Sequence, residues 1–284
     1  GPARAGGAPD TMGGMVNDLY GVAGPMARNV PDLALLLDAM AGSHPADPRS
    51  LPREAMSFRQ ALAGRRLPKR VAFSKDFGIT PVDPEVARIC EAAAKHFEAM
   101  GCVVEEAHPD FADVQDIFQT NRAISFYVSK KGLLDNNRDE LKPEVIWNIE
   151  RAGQLTVADI MRVESARAAY LRRCVTFFDN YDLLLSPATI VPPYPVEQRF
   201  VERCGDVEFS NYIEWCTIAY AITVTGFPAM SVPAGFTTSG LPVGLQLVGP
   251  PRGEGQLLSA ANLYEEAAGW SRQVPIVPKA REAA

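Results

Sequence analysis

Residues 225–270, TGFPAMSVPAGFTTSGLPVGLQLVGPPRGEGQLLSAANLYEEAAGW, constrain the fold more than any other part of the chain. Two apolar runs, Ala229–Phe236 and residues 243–248, flank Thr237-Thr238-Ser239-Gly240. Gly and Ser tolerate the dihedrals of a tight turn, so the runs read as the two strands of a hairpin. Pro233 cannot donate to a ladder, which confines the first strand to a sheet edge or marks a bend within it. After Gly249-Pro250-Pro251, Leu257, Ala260, Ala261 and Tyr264 recur at helical spacing on one face. The local reading is a core hairpin with a covering helix.

The same punctuation runs upstream. Residues 1–17, rich in Gly, Ala, Pro and Met, read as loop. Asn29 caps a helix with Pro31 in its first turn and Gly42 at its end; Leu33, Leu36, Leu37 and Met40 form its inward face. A short helical piece over residues 55–63 leads to a strand at Arg70–Phe73. Asp83 caps a helix over residues 84–100, with Val86, Ile89, Cys90, Ala93, Phe97 and Met100 inward, and residues 102–105 form the next strand. Strand, helix, strand predicts a parallel, right-handed βαβ unit. A helix over residues 113–134 turns Val114, Ile117, Phe118, Ile124 and Val128 inward, and a charged connection follows at 136–142. Thr156 and Asp159 open a long helix to about Phe178. A buried strand at residues 183–186, a Pro-rich loop at 191–195 and a helix over 212–223 lead back to the hairpin. The alternation predicts an α/β fold with a mixed β-sheet flanked by helices.

With 284 residues, 47% of them apolar, the chain can bury a large core, and its net charge of −6 argues against a nucleic-acid binder. No apolar run reaches 18 residues and no signal peptide is visible, so neither a membrane span nor export is expected. Five scattered cysteines without a CxxC pair read as reduced, mostly buried thiols of a cytoplasmic protein. Dispersed histidines argue against a metal site, and His96 reads as a packed or half-exposed helix residue. The first residue is Gly1, consistent with a processed or engineered piece or with residues upstream.

Two segments resemble the amidase signature hydrolases. Gly226-Phe227-Pro228-Ala229-Met230-Ser231-Val232-Pro233 and residues 240–246 are similar to the family's closing G-x-P-A-x-S-V-P and G-L-P-V-G-L-Q runs. Residues 24–42 resemble its G-P-M-A-R-x-V-x-D-x-A-L-L-L-D-x-x-A-G run. The resemblance extends from about Tyr20 to Trp270, and Ser186-Pro187 stands where threonine-proline is commoner. It implies a large mixed sheet sandwiched by helices, with residues 1–284 as the C-terminal portion of a single amidase domain. It also implies hydrolysis of carbon–nitrogen bonds of linear amides by a lysine, a bridging serine and a nucleophilic serine.

None of those three roles falls on this chain. Gly6-Gly7 and Gly13-Gly14 are not followed by serine, and every lysine from Lys69 to Lys279 lies after residues 24–42, which the family's lysine precedes. Ser231 reads as a strand residue and Lys75 as a surface charge. What the resemblance leaves to this chain is substrate binding: Trp215, Ile218, Tyr220 and Ile222 on the helix before the hairpin, then Phe126 and Trp147, are the candidates for a pocket wall. Helical spacing by itself reads the helix residues as core, and that plainer reading is preferred. No catalytic residue, metal ligand or cofactor is assigned. The implied partners are a small amide substrate and an N-terminal catalytic portion, in the same protein or a separate chain, with no nucleic acid or membrane; a homodimer is open. Two other readings stand beside this one. The first is the amidase-like subunit of a tRNA-dependent amidotransferase, which Pro250-Pro251-Arg252-Gly253-Glu254 disfavours. The second is a truncated, inactive paralogue acting as a binding or structural domain.

Overall fold

A computed structural model describes residues 20–45, 47 and 50–272. The loop expected at residues 1–17, the two double glycines and Lys279 lie outside these. In chain order the main elements are α1 (Val30–Met40), α2 (Phe58–Ala63), β1 (Arg70–Phe73), α3 (Pro84–Ala99), β2 (Val103–Glu106), α4 (Val114–Asn137), α5 (Pro143–Gly153) and α6 (Val157–Phe177). They continue with β3 (Leu183–Pro187), β4 (Arg203–Cys204), β5 (Val207–Glu208), α7 (Thr217–Thr225), β6 (Ala229–Phe236), β7 (Pro242–Val248) and α8 (Glu254–Ala268).

Five strands form one mixed sheet in the order β2-β1-β3-β7-β6. β1 runs parallel to both β2 and β3, whereas β7 is antiparallel to β3 and to β6. The expected βαβ unit is therefore present as β1-α3-β2, and the expected hairpin as β6-β7. Both readings of Pro233 hold together: β6 is the edge strand, and the register shifts by a bulge between Pro233 and Gly235. Gly240, at φ +82°, supplies the left-handed conformation that the hairpin turn requires.

The strand period of two divides the core between the two faces. Val71, Leu183, Leu185, Val243, Leu245 and Leu247 point to one side, where α1, α3 and α8 close over them. Ala72, Leu184 and Val248 point to the other, against α4, α6 and α7. The helices dock by the stripes their sequences encode. Leu257, Ala260, Ala261 and Tyr264 of α8 are all buried, and Tyr264 stacks on Phe97 of α3 at 5.5 Å. Asp83 caps α3 by accepting from the N–H groups of Glu85 (2.8 Å) and Val86 (3.2 Å). Thr156 and Asp159 form the reciprocal capping box at the start of α6.

Several expectations are corrected. Leu36 is exposed, because α1 buries the stripe Val30, Ala34 and Leu37, which is rotated from the expected one. Val128 is exposed as well: the fully buried part of α4 ends at Ala123. α4 runs on into the expected charged connection, where the Asn136 amide donates to the Gly132 carbonyl. The helix expected over residues 55–63 begins only at Phe58, behind a Ser57–Gln60 capping box. The segment before α7 is a 3-10 turn, Glu214–Cys216, and α7 extends to Thr225, where Gly226 at φ +68° ends it. The β4-β5 pair has no strand pattern in the sequence to announce it; Gly205, at φ +56°, makes its turn.

Candidate functional site

The helical cover is uneven near the sheet edge. On the α4-α6-α7 side of β6, Ser231 and Pro233 stand exposed, while Val232 on the opposite side is buried. A polar row crosses this face: Ser186 of β3 pairs with Gln246 of β7, which pairs with Ser231 of β6. Ser186 and Gln246 are buried, and the Gln246 amide donates to Ser186 Oγ at 3.1 Å. That bond satisfies groups that would otherwise be costly inside the sheet. Gly244 keeps the row open, since a Cβ there would lie 2.6 Å from Ser231 Oγ and 3.2 Å from the Ala188 methyl.

A second cluster gathers α4, α5 and the segment before α7. The Arg122 guanidinium lies over the Phe126 ring at 4.5 Å and donates through Nε and Nη2 to Tyr212 Oη, at 3.2 and 3.0 Å. Asn148, fully buried on α5, donates to the same phenolic oxygen and to the Glu144 carbonyl, each at 2.6 Å. Trp147 meets Tyr212 edge-on at 5.9 Å, and Arg151 lies 5.4 Å above the Trp147 ring. Arg151 also donates to Gln119 Oε1 at 2.5 Å, which ties α5 back to α4. Aromatic faces and cations attract through the ring quadrupole, so the cluster is mutually supporting.

The six expected wall residues divide by burial. Ile218, Tyr220 and Ile222 are between 1% and 3% exposed and sit in the core beneath α4 and α6. Tyr220 stacks on Phe118 at 4.1 Å, and burial pushes its phenol up to about 12 against hydrogen bonds from Thr217 and Gln119. Trp215, Phe126 and Trp147 are half-buried. Phe126 and Trp147 join the Arg122–Tyr212 cluster, while Trp215 packs edge-on to Tyr194 at 5.8 Å. Sequence reasoning missed Arg122, Tyr212 and Asn148. The one local signal was the four-residue spacing of Arg122 and Phe126 on a helix; Tyr212 is 90 residues away from Arg122.

Among the described residues no lysine is buried, and a lysine serves as a base only where burial or neighbours hold it neutral. Lys75 and Ser231 are exposed. His96 is half-buried against Tyr264, as a packed histidine should be. All five cysteines are free thiols, four of them buried, and burial pushes Cys216, the half-buried one, up to about 11 despite the nearby Arg122 charge. Among the described residues no group of three or more His, Cys, Asp or Glu side chains is placed to hold a metal ion. No helix among them is long and apolar enough to cross a membrane.

Comparison with known proteins places this arrangement. The Amidase family model matches residues 11–258. An acylamidase from Rhodococcus erythropolis is 33% identical over 257 residues, covering 89% of this chain and 53% of the relative. A glutamyl-tRNA(Gln) amidotransferase subunit from Moorella thermoacetica is 29% identical over 276 residues, covering 89% of this chain and 55% of the relative. The crystal structure of a bacterial aryl acylamidase of the amidase signature enzymes superposes with a TM-score of 0.79 at 26% identity, over 88% of this chain and 53% of that one. A 6-aminohexanoate cyclic dimer hydrolase shares the fold, with a TM-score of 0.82 at 22% identity, over 96% of this chain and 60% of that one. The chain thus spans about half the length of the curated relatives it matches. With a family model matching most of its residues, the chain belongs to the amidase family.

Proposed function

We propose that this chain is the C-terminal portion of a single amidase domain that hydrolyses carbon–nitrogen bonds of small amides by Ser-Ser-Lys chemistry. In this reading the lysine and both serines come from an N-terminal portion, in the same protein or a separate chain. That portion packs against β6 and the bare face bearing Ser231. A neutral lysine takes the nucleophile's proton through the bridging serine, the nucleophilic serine attacks the amide carbonyl, and the proton passes to the departing amine; water then cleaves the acyl-serine ester, releasing the acid and restoring the serine hydroxyl. This chain shapes the pocket. Phe126, Trp147 and Trp215 face the substrate, and Ile218, Tyr220 and Ile222 hold that wall from behind.

The observation that carries the reading is 33% identity to an acylamidase over 257 residues, in a chain whose described lysines are all exposed or half-buried. The test is ammonia release from small aliphatic and aromatic amides by the intact gene product. Steady turnover without any tRNA is the expected result. A coding sequence with no lysine and no Gly/Ser-rich segment, in the same frame or a neighbouring one, overturns the reading for this chain. Similarity to the amidotransferase relative supports a second reading, in which ammonia is released only when a tRNA-binding partner and its tRNA are present.

A further inference from the structure

Arg122 is a half-buried cation with no acid paired to it among the described residues. Acids on α4, on α5 and in the turn before α7 are bonded to other groups. Glu144 pairs with Arg199 at 2.5 Å, Glu214 accepts from the Ser210 N–H and hydroxyl, and Asp116 pairs with Arg162. Drawing a guanidinium out of water is costly unless charge or hydrogen bonds compensate it. Here compensation comes from ring faces and one phenol: Phe126 at 4.5 Å, Phe118 and Tyr212 at 5.9 Å, and Tyr212 Oη.

The geometry also shows which edge of the guanidinium is engaged. Tyr212 occupies the Nε–Nη2 edge and leaves Nη1 without a hydrogen-bond partner among the described residues. The end-on fork formed by Nη1 and the second hydrogen of Nη2 has no partner among the described residues, and that planar pair matches the two oxygens of a carboxylate. The neighbouring Trp147 and Phe126 offer apolar contact to whatever carries it.

We propose, on the footing of the amidase reading above, that Arg122 is a specificity-determining residue that receives a carboxylate carried on the apolar part of the substrate. Its ligand class is an amide with a second, anionic end, separated from the scissile bond by an aliphatic or aromatic spacer. Tyr212 and Asn148 act behind it as positioning residues that fix the plane of the fork.

The test uses the intact gene product and two readouts. In the first, isothermal titration compares hexanoate with 1-hexanol. Hexanoate is expected to bind more tightly, and Arg122→Gln to weaken it about 10- to 100-fold, the range for a hydrogen bond to a charged group. Arg122→Lys keeps the charge but loses the fork, so it is expected to fall between the two; it carries the comparison if the glutamine variant does not fold. In the second, kcat/KM is measured for adipamate, which ends in a carboxylate, and for hexanamide, its neutral counterpart. The ratio of the two constants is expected to favour adipamate in the wild type and to move toward one in Arg122→Gln. Folded variants that bind hexanoate as the wild type does overturn the proposal, as does inorganic phosphate competing as well as hexanoate. Hydrolysis of both amides with equal kcat/KM in the wild type overturns it while leaving the amidase reading intact. If neither amide is hydrolysed, the amidase reading is what fails, and the titration still decides the role of Arg122.

Discussion

At Tyr212 a single phenolic oxygen accepts from Arg122 Nε, Arg122 Nη2 and Asn148 Nδ2. Asn148 Oδ1, on the other side of the same amide, is buried without a partner among the described residues. The site therefore depends heavily on one hydroxyl. Tyr212→Phe keeps the ring that meets Trp147 and Phe200 but removes the acceptor these donors share. The buried Asn148 amide then loses one of its two acceptors. The expected cost is about 1–3 kcal/mol of folding stability, the penalty for stranding a buried donor. Urea denaturation of the wild type and the variant checks it, with an unchanged m-value showing that the native state stays compact. A midpoint that does not move would mean that water takes over the hydroxyl's role.

At the scale of elements, the caps carry information the sequence spells out. Asp83 orders two N–H groups at the start of α3, and its own N–H donates to the Ile190 carbonyl at 2.8 Å, fixing the helix against the loop after β3. Asp83→Ala is expected to cost about 0.5–2 kcal/mol, and Asp83→Asn much less, because asparagine caps nearly as well. Thermal melts of both variants separate the cap from the charge. This helix, the hairpin and α8 are legible because their signals are local: a capping residue, a proline where no donor is needed, an apolar stripe at fixed spacing. The rotation of α1 that exposes Leu36 is not, since five apolar residues in a row at 33–37 fit more than one inward face. Val128 misleads for a related reason. Its spacing continues the α4 stripe, but whether a partner still covers the helix at that point depends on tertiary packing. The site is hardest to read. Ile218, Tyr220 and Ile222 carry the same periodicity as any core helix. The contact of Arg122 with Tyr212 joins two segments 90 residues apart through no motif at all.

At the scale of the whole molecule, two cores on either side of one sheet bury thiols and phenols as if they were hydrocarbon. Burial pushes the thiols of Cys90 and Cys174 up to about 12, and the phenol of Tyr264 likewise to about 12. Tyr170, whose hydroxyl donates to the Ala221 carbonyl at 2.7 Å, is raised further by the same cause. Cys102 and Cys204 shift in the same direction. All of these groups are neutral when protonated. Above their ordinary values of about 8.5 for a thiol and 10 for a phenol, the unfolded chain releases protons that the folded chain keeps. The folded state then binds more protons than the unfolded one, so stability falls as pH rises. The contribution is complete below about pH 8, and it declines from there until the folded groups themselves ionise. Glu266 acts at the other end of the scale. Arg65 holds its carboxyl below the usual range, and the stability this supplies above the ordinary value is lost as pH falls through the lowered one. Because Glu266 is largely exposed, its share is small beside that of the buried thiols and phenols. The melting temperature, followed from about pH 7 to pH 11 at constant ionic strength, is therefore expected to fall steadily from about pH 8. Replacing Cys90 and Cys174 together by alanine should flatten the early part of that decline. A profile that stays level to about pH 11 would mean that the thiols and phenols of both cores are reached by solvent in the folded state.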